Sequence, residues 1–527
     1  MLAMDKKLIK EVLVLAAVVS GLLLPFINKP FNVDDPFYLK AAEQFAKDPL
    51  RPYSYSINWS GELRDAWQKT EATFPPLVTA YTALVVKVFG EKEWALHLCF
   101  MIFPLAAALA MYFIAKKYTT KPLFPALLFS ASPAFLVSST SIMLDVPLCA
   151  LMLSSVAVFI YGVDKDNGPQ LLLGSVIAGL AILAKYSGAI VIPVILCYLF
   201  VSKKMKYAGY AAVPVIIFGL WCAHNLAVYE SIHFIKAAGH IGKGLSLHKL
   251  FAFGAFFGGA LVFPVFLMAA VSLKDVKALV LWLMTLFVFG YLTLGSAQPA
   301  LLFSVFCAAT VYFLYRTAFE WINLDRFLTL WLALGLAAVV IPEPWVAARY
   351  LIILIPPAAI IFAKIVESLS KNTAGLIMYG SVAVAAAVGV SVASADYAWA
   401  KAYGDFAQYV KSKQYNSGSF VGHFGFQYYL EKIGMTALEV NKPLTEDGYV
   451  IAAKIPDPQK PSEQALERMQ LIEVKPLESG WPVRLMDPGS RAGFYSSYWG
   501  ILPYSVSSKP LDITAIYKIT KTKRNVK

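Results

Sequence analysis

The sequence predicts a polytopic all-α membrane domain of about thirteen transmembrane helices, followed by a small mixed α/β domain outside the cytoplasm. Of the 527 residues, 58% are hydrophobic and only 15% are charged, with a mean hydropathy of +0.61. Such a composition lies outside the range of soluble globular proteins. The lysines and arginines behind the net charge of +13 cluster in short loops between apolar stretches, a pattern that sets membrane orientation and does not indicate nucleic-acid binding.

The apolar stretches predict where the chain crosses the membrane. About 20 residues are needed to cross a bilayer, and stretches near that length lie at 8–27, 94–115, 122–141, 146–162, 170–184, 188–202, 206–228, 250–272, 277–294, 299–315, 327–342, 350–367 and 374–393. We take the lysine-rich N-terminus as cytoplasmic. The same side then holds the other basic loops, at 116–118, 203–206, 274–277 and 316–326. An odd number of spans places the C-terminal domain on the outer face.

The predicted organisation has three parts. Residues 1–393 form the transmembrane domain, residues 394–527 form the outer soluble domain, and the first external loop, 28–93, carries two interfacial helices. One of these helices is predicted at Phe37–Lys47, where apolar side chains recur at helical spacing. The other, Pro75–Phe89, is apolar but too short for a full span, so we expect it to lie in the membrane interface.

Two adjacent acids follow the first apolar stretch, in the segment Asn32-Val33-Asp34-Asp35-Pro36-Phe37-Tyr38. Carboxylates at the mouth of a span are costly near hydrocarbon, so they indicate a functional site. Alternatively, Asp35 serves mainly as a helix N-cap, because the proline after it suits the first helical position. Adjacent helical residues do not share a face, so Asp34 would remain free to act.

Further charged residues gather on the predicted outer face. They are Asp145, Lys185 and Arg349, with Arg64 and His97. Asp145 has the alternative role of a helix N-cap, and Lys185 that of a snorkelling side chain. Arg349 begins a span on the side where positive charge is not favoured, and a guanidinium matches phosphate oxygens in a bidentate geometry.

Carboxylates and fixed cations at a lipid-facing cavity suit the transfer of a group from a phosphorylated lipid. One carboxylate would take the proton from an acceptor hydroxyl, and the cations would stabilise the departing phosphate. A divalent metal (Mg, Mn or Zn) held by Asp35 and Asp145 would serve the same purpose.

The chain contains several short motifs in a fixed order: Asp34-Asp35 after the first span, Phe74-Pro75-Pro76-Leu77, Phe89 to Leu96, Leu144-Asp145, Leu183-Ala184-Lys185, and Arg349-Tyr350-Leu351 with Pro356-Pro357. In this order they resemble the GT-C glycosyltransferases, above all the protein O-mannosyltransferases and the aminoarabinose transferases of lipid A. The resemblance covers roughly residues 8–370. Two positions depart from the aminoarabinose branch, which weakens the case for its donor and for a lipid A acceptor: Phe74 replaces a phosphate-binding lysine, and His97 stands where arginine is common.

The resemblance implies an inverting enzyme that transfers a single sugar from a polyprenyl-phosphate donor to an acceptor hydroxyl or phosphate. The reaction would take place at the periplasmic or lumenal side of the membrane, and we expect that membrane to be a bacterial inner membrane. The expected partners are that donor and a lipid, glycan or protein acceptor. The alternative is a carrier or flippase for lipid-linked sugars, in which the same charges bind and release a phosphate without bond cleavage.

The candidate residues follow from the same motifs. The catalytic candidates are Asp34, Asp35 and Asp145, and the substrate-binding candidates are Lys185, Arg349, Tyr350, Arg64 and His97. The resemblance makes Asp34 the best base, supported by one of the other two acids, and makes Lys185 and Arg349 the cations on the phosphate side.

Overall fold

The structure is a computed structural model that describes residues 6–59, 61–67, 74–238, 244, 246–271, 276–320, 325–442, 444 and 447–520. Seven helical segments in these ranges are long and apolar enough to cross a membrane: Lys6–Phe26, Glu93–Ala115, Asp145–Asp164, Met205–Tyr229, Ala297–Phe319, Ala348–Glu367 and Lys371–Ser412. Six shorter apolar helices accompany them. The chain is therefore a multi-pass membrane protein, while the number of thirteen spans remains a prediction. The predicted basic loops at 274–277 and 316–326 lie partly outside the described residues.

The helices up to residue 229 begin with the first span and enclose the first external loop. They are α1 (Lys6–Leu23), α2 (Asp35–Lys47), α3 (Leu77–Phe89), α4 (Glu93–Phe100), α5 (Ile102–Ala115), α6 (Leu123–Ala131), α7 (Pro133–Ser138), α8 (Asp145–Asp164), α9 (Gly168–Ala184), α10 (Val191–Val201) and α11 (Ala212–Tyr229).

The remaining helices complete the bundle and enter the C-terminal part. They are α12 (His233–Ala238), α13 (Leu247–Leu261), α14 (Phe263–Val271), α15 (Val276–Leu294), α16 (Ala297–Phe319), α17 (Arg326–Val340), α18 (Ile355–Glu367), α19 (Lys371–Ser412), α20 (Phe424–Lys432) and α21 (Glu463–Arg468).

Two predicted spans are each broken into two shorter helices, at 122–141 and at 250–272. Between α6 and α7, Ser132 has an extended backbone with ψ 136° directly before Pro133. The proline ring disfavours helical backbone at the preceding residue. Between α13 and α14, Val262 has a φ of 69°, which no continuous right-handed helix contains.

The first external loop contains both predicted helices, as α2 and α3, which pack against each other. The Phe74 ring contacts those of Phe37 and Tyr38, with centroid distances of 5.7 and 5.2 Å. The loop also contains a hairpin that the sequence did not predict, formed by β1 (Ser56–Asn58) and β2 (Leu63–Asp65).

The C-terminal part is built on strands: β3 (Gly418–Val421), β4 (Thr436–Ala437), β5 (Tyr449–Ala453), β6 (Met469–Leu477), β7 (Val483–Arg484), β8 (Met486–Asp487), β9 (Ala492–Gly493), β10 (Ser505–Val506) and β11 (Asp512–Ile519). Five of them form a mixed sheet in the order β4-β3-β5-β11-β6. Strand β3 runs parallel to β4 and β5, whereas β11 pairs antiparallel with β5 and β6. At the sheet centre, Ile516 lies opposite Ile451, and both side chains are fully buried. The small strand-containing domain expected at the C-terminus is therefore present.

Helix α19 connects the two parts of the molecule. It runs for 42 residues without interruption, so the predicted domain boundary between residues 393 and 394 falls within it. It packs against α6, α7 and α14 of the bundle and against α20 and β7 of the strand-containing part.

A buried ion pair strengthens this connection. Lys29, just after the first span, pairs with Asp396 of α19, and their side chains are 1% and 0% exposed. Lys29 Nζ also donates to Thr140 Oγ1 at 3.3 Å, and the Tyr495 hydroxyl donates to Asp396 Oδ2 at 3.0 Å. Four distant segments of the chain therefore meet at one polar contact.

Candidate active site

Charged side chains from four separate segments meet beside the start of helix α2. Arg349 Nη1 donates to Asp34 Oδ2 at 2.5 Å, and Lys185 Nζ donates to Asp145 Oδ1 at 2.7 Å. The two pairs are joined, because Arg349 Nε lies 4.0 Å from Asp145 Oδ2. These four side chains, called the charged cluster below, are only 7% to 26% exposed. Charges in such a partly dry site interact more strongly than on an open surface.

The backbone that carries Asp34 is held in an unusual conformation. Val33 has a φ of 51°, in the left-handed region that β-branched residues rarely adopt. Asp34 follows as the N-cap residue of α2, yet its side chain makes no capping hydrogen bond and is free to pair with Arg349. A strained residue of this kind costs about 1–3 kcal/mol and persists only where surrounding contacts fix it.

Helix α20 supplies contacts that fix this loop. The Gly425 N–H donates to Asn32 Oδ1 at 3.1 Å, and the Phe31 N–H donates to the Tyr429 hydroxyl at 3.0 Å. A Cβ atom on Gly425 would lie 2.5 Å from the Phe31 carbonyl oxygen, so only glycine permits this close approach. The C-terminal part thus positions the segment that ends at Asp34.

Asp35 lies next to the charged cluster in sequence but serves the backbone. It is fully buried, and its carboxylate accepts the N–H groups of Asn32 at 3.2 Å and Ile142 at 3.0 Å. Burial raises the pKa of Asp35 from 3.8 to about 7, while the nearby Lys29 charge opposes the shift. Both N–H groups belong to residues outside α2, so Asp35 joins two loops and does not cap the helix.

A 3-10 turn, Ala348–Leu354, positions the second half of the cluster. The first N–H group of the turn donates to the Phe494 carbonyl at 2.8 Å. The Tyr350 ring centroid lies 4.9 Å from Lys185 Nζ and 5.4 Å from the guanidinium carbon of Arg349. Cation–π attraction to this one ring therefore helps to orient both cations.

Two further groups belong to the site and were not predicted from the sequence. Tyr38, one turn into α2, lies near Asp34, and burial raises the pKa of its hydroxyl. Glu343, in the loop before the 3-10 turn, lies near Lys185, and burial raises the pKa of its carboxyl. Tyr38 carries no sequence signal, because an aromatic residue at helical spacing fits ordinary packing. Glu343 could have been found by the criterion that selected Asp145, an acid on the outer face.

Two predicted substrate-binding residues lie apart from the charged cluster. Arg64 is in β2, where it forms an ion pair with Glu62 and its side chain is 56% exposed. His97 is buried in α4, and its Nε2 atom is hydrogen-bonded to the Lys29 carbonyl at 2.9 Å. These contacts give both residues a local structural role, and their contact with substrate stays a prediction.

The residues proposed as metal ligands are already occupied. The two oxygens of Asp35 accept backbone N–H groups, and Asp145 pairs with Lys185 and faces Arg349. Within the described ranges, no group of three or more His, Cys, Asp or Glu side chains is arranged to hold a metal ion. A divalent cation prefers several free oxygen ligands and is repelled by neighbouring cations. The donor set therefore does not fit a metal.

The chain is similar in sequence to the mannosyltransferases of the GT-C class, as the motifs predict. The similarity is specific over residues 73–224, which match the family model for dolichyl-phosphate-mannose-protein mannosyltransferases. This match confirms the predicted resemblance and the prediction that the chain is an enzyme of the glycosyltransferase type. No curated protein sequence matches the chain at a significant level.

Several solved structures match the chain at low sequence identity and with TM-scores below 0.5. ArnT from Cupriavidus metallidurans bound to undecaprenyl phosphate has a TM-score of 0.47 and 15% identity, over 89% of this chain and 97% of that chain. ArnT in the apo state has a TM-score of 0.44 and 16% identity, over 88% and 96%. Arabinosyltransferase EmbB from Mycobacterium smegmatis has a TM-score of 0.37 and 14% identity, over 93% of this chain and 49% of that one.

Proposed function

We propose that this protein is an inverting glycosyltransferase that moves one sugar from a polyprenyl-phosphate donor to an acceptor hydroxyl or phosphate. The observation that carries the proposal is the charged cluster, in which two acids and two cations from distant segments share one partly buried site. Such groups are costly to place beside hydrocarbon, so their presence indicates a functional site. The matched family model, which is named for a polyprenyl-type phosphate donor, supports the same donor class.

The two cations form the phosphate side of the site. Arg349 Nε is buried, lies 4.0 Å from Asp145 Oδ2 and has no hydrogen-bond partner among the described residues, so its N–H group would gain a partner if a phosphate oxygen entered the cluster. The Lys185 side chain is 25% exposed, and its ammonium group can turn a donor hydrogen towards the same phosphate. A planar guanidinium beside an ammonium group suits a phosphate monoanion or dianion.

The proposed reaction begins with an exchange of partners. Donor phosphate competes with Asp34 for Arg349, which frees the Asp34 carboxylate to accept the proton of the acceptor hydroxyl. The acceptor oxygen attacks the anomeric carbon as this proton leaves, and the bond from that carbon to the phosphate oxygen breaks. The phosphate departs with the electron pair, stabilised by Arg349 and Lys185. Attack opposite the leaving group inverts the anomeric configuration.

The location and organisation follow the topology argued from the sequence. We propose a bacterial inner membrane with the N-terminus in the cytoplasm and the strand-containing domain in the periplasm. The transmembrane domain would be residues 1–393 and the outer domain residues 394–527, joined by α19. The acceptor would be a lipid, a glycan or a protein that reaches the outer face.

The test uses the full-length protein in sealed proteoliposomes, a labelled polyprenyl-phosphate sugar and an acceptor extract. We expect the wild type to release free polyprenyl phosphate and Asp34→Asn to be about 10²–10⁴-fold slower. Asp164→Asn is the matched control, because Asp164 pairs with Lys117 at the opposite end of α8 from Asp145. Movement of intact donor across the bilayer without cleavage would instead establish the carrier alternative.

A further inference from the structure

A cavity of about 540 Å³ lies between the first external loop and the C-terminal part. Its walls come from the outer face of α2, from the β1–β2 hairpin, from α20 and from β4. The volume falls within the range of roughly 300–1,000 Å³ that is usual for small-molecule sites. No residue of the charged cluster lines it.

The cavity lies next to the charged cluster without being part of it. Pro36 lines the cavity, whereas Asp34, two residues earlier, pairs with Arg349. Two residues in a helix are separated by about 200° of rotation, so the two positions face nearly opposite directions. If the cavity binds the acceptor, it therefore holds a part of that molecule that is distant from the reacting atoms.

The lining has the chemistry of a carbohydrate site. An indole, Trp59, and a phenol, Tyr428, supply flat aromatic surface, and the Gln427 amide and Thr436 hydroxyl supply neutral hydrogen-bonding groups. Aromatic faces bind the apolar faces of sugar rings, while amide, hydroxyl and carboxylate groups bind their hydroxyls.

The charge of the lining selects among carbohydrates. Four glutamates and two lysines line the cavity, and Lys442, outside the lining, pairs with the lining residue Glu439 at 2.8 Å, so one acid remains without a lysine partner among the described residues. The lysines are already engaged: Lys40 Nζ lies 3.0 Å from Glu43, and Lys432 Nζ lies 3.9 Å from Glu91. The Glu431 carboxylate accepts one hydrogen bond from Gln427, at 2.8 Å, and keeps further acceptor capacity. A phosphate or carboxylate ligand would be repelled by these acids.

We propose that this cavity binds a neutral or amine-bearing carbohydrate chain of the acceptor. The inference rests on the proposed transferase function, because the bound glycan would be part of the acceptor in that reaction. It narrows the acceptor class from lipid, glycan or protein to a molecule that presents uncharged or cationic sugars near the outer membrane face.

The proposal is tested by binding, without donor, to the full-length protein in nanodiscs. The probes are neutral trisaccharides (mannotriose and galactotriose), an amine-bearing one (the glucosamine trimer) and an anionic one (sialyllactose). Their binding is measured by saturation-transfer NMR and calorimetry. We expect at least one neutral or amine-bearing probe to bind and the anionic probe not to bind. Glu43→Gln combined with Glu431→Gln should weaken binding about tenfold or more, because two charged hydrogen-bond acceptors are lost. Glu467→Gln, an exposed acid of α21 that does not line the cavity, should bind like the wild type.

The outcomes separate this inference from the proposed function. If no neutral or amine-bearing sugar binds, if the double variant binds as well as the wild type, or if sialyllactose binds equally well, the cavity proposal is wrong. Cleavage of the labelled donor is measured on the same samples. Wild-type cleavage without sugar binding would reject the cavity proposal alone, whereas sugar binding without any cleavage would reject the transferase.

Discussion

The carboxylate of Asp35 accepts the backbone N–H of Ile142 at 3.0 Å, across 107 residues of sequence. This bond joins the loop that ends at Asp34 to the turn that precedes Asp145. The two acids of the charged cluster are therefore held relative to each other by a residue that does not itself belong to the cluster. The arrangement makes Asp35 a positioning residue, and its protonation state becomes important for stability.

Stability should depend on pH through Asp35. Its pKa rises from 3.8 to about 7 on folding, so the folded protein binds this proton more readily. The resulting stabilisation is fully present below about pH 3.8 and is lost as the pH rises through about 7. Asp35→Asn removes the titration, and we expect its melting temperature in detergent to change less between pH 5 and pH 8 than that of the wild type. Identical pH profiles for the variant and the wild type would contradict this role.

Catalysis should require the planar shape of the Arg349 guanidinium as well as its positive charge. Arg349→Gln removes the cation that faces both acids, and we expect transfer to fall by about 10²–10³-fold. Arg349→Lys keeps the charge but loses the planar fork, so it should restore only part of the rate. Arg316→Gln is the control, because Arg316 pairs with Glu320 in the last turn of α16. Full activity of Arg349→Lys would show that a simple positive charge is enough.

The pair Lys29–Asp396 should stabilise the junction between the two parts of the protein. Lys29→Met leaves Asp396 charged and buried, which should lower the free energy of unfolding by about 3–5 kcal/mol. Lys29→Met combined with Asp396→Leu removes both charges and should recover much of that loss. Denaturant or thermal unfolding in detergent measures the difference. A double variant as unstable as the single one would mean that the pair has no coupling of this kind.

Gly425→Ala should impair catalysis from outside the charged cluster. The added Cβ would lie 2.5 Å from the Phe31 carbonyl oxygen and push away the segment that carries Asp34. A displacement of about 1 Å can reduce a rate by about 10²-fold, so we expect kcat to fall while the strand-containing part stays folded. Gly404→Ala is the matched control, since a Cβ there would meet open space. Equal kcat values for the two variants would argue against positioning by α20.

Removal of divalent metals should leave transfer unchanged. The carboxylates of the site are engaged by Arg349, Lys185 and backbone N–H groups, so they offer no free ligand set. Activity is measured after EDTA treatment and dialysis, and again after addition of Mg²⁺, Mn²⁺ or Zn²⁺. Loss of activity that one of these ions restores would re-establish the metal hypothesis raised by the sequence.

The gathering of Asp34, Asp145, Lys185 and Arg349 could be predicted because each charge stands out against an apolar background. The cost of placing a charge near hydrocarbon selects such residues, and the orientation of the spans assigns them to one face. Their pairing into two ion pairs could not be predicted, since it depends on how the helices pack. The same limit applies to the broken spans, which are interrupted before Pro133 in one case and at Val262, with its positive φ, in the other.

The pair Lys29–Asp396 shows what the sequence could not indicate. Lys29 looks like an ordinary cation flanking a span, and Asp396 lies in a polar stretch that the sequence predicts to be part of the soluble domain. Their contact spans 367 residues and has no local pattern. The cavity beside α2 could not be predicted for the same reason, because its walls come from segments that are separated by most of the chain.

The uninterrupted course of α19 has a mechanical consequence. A helix of 42 residues is about 63 Å long, and it runs without interruption from the bundle to the strand-containing part. A force that tilts the strand-containing part should therefore also act on the membrane end of α19. It should act in the same way on the Lys29 segment, which is paired with Asp396 of this helix. An antibody fragment bound to the strand-containing part would therefore disturb the transmembrane bundle without entering the membrane.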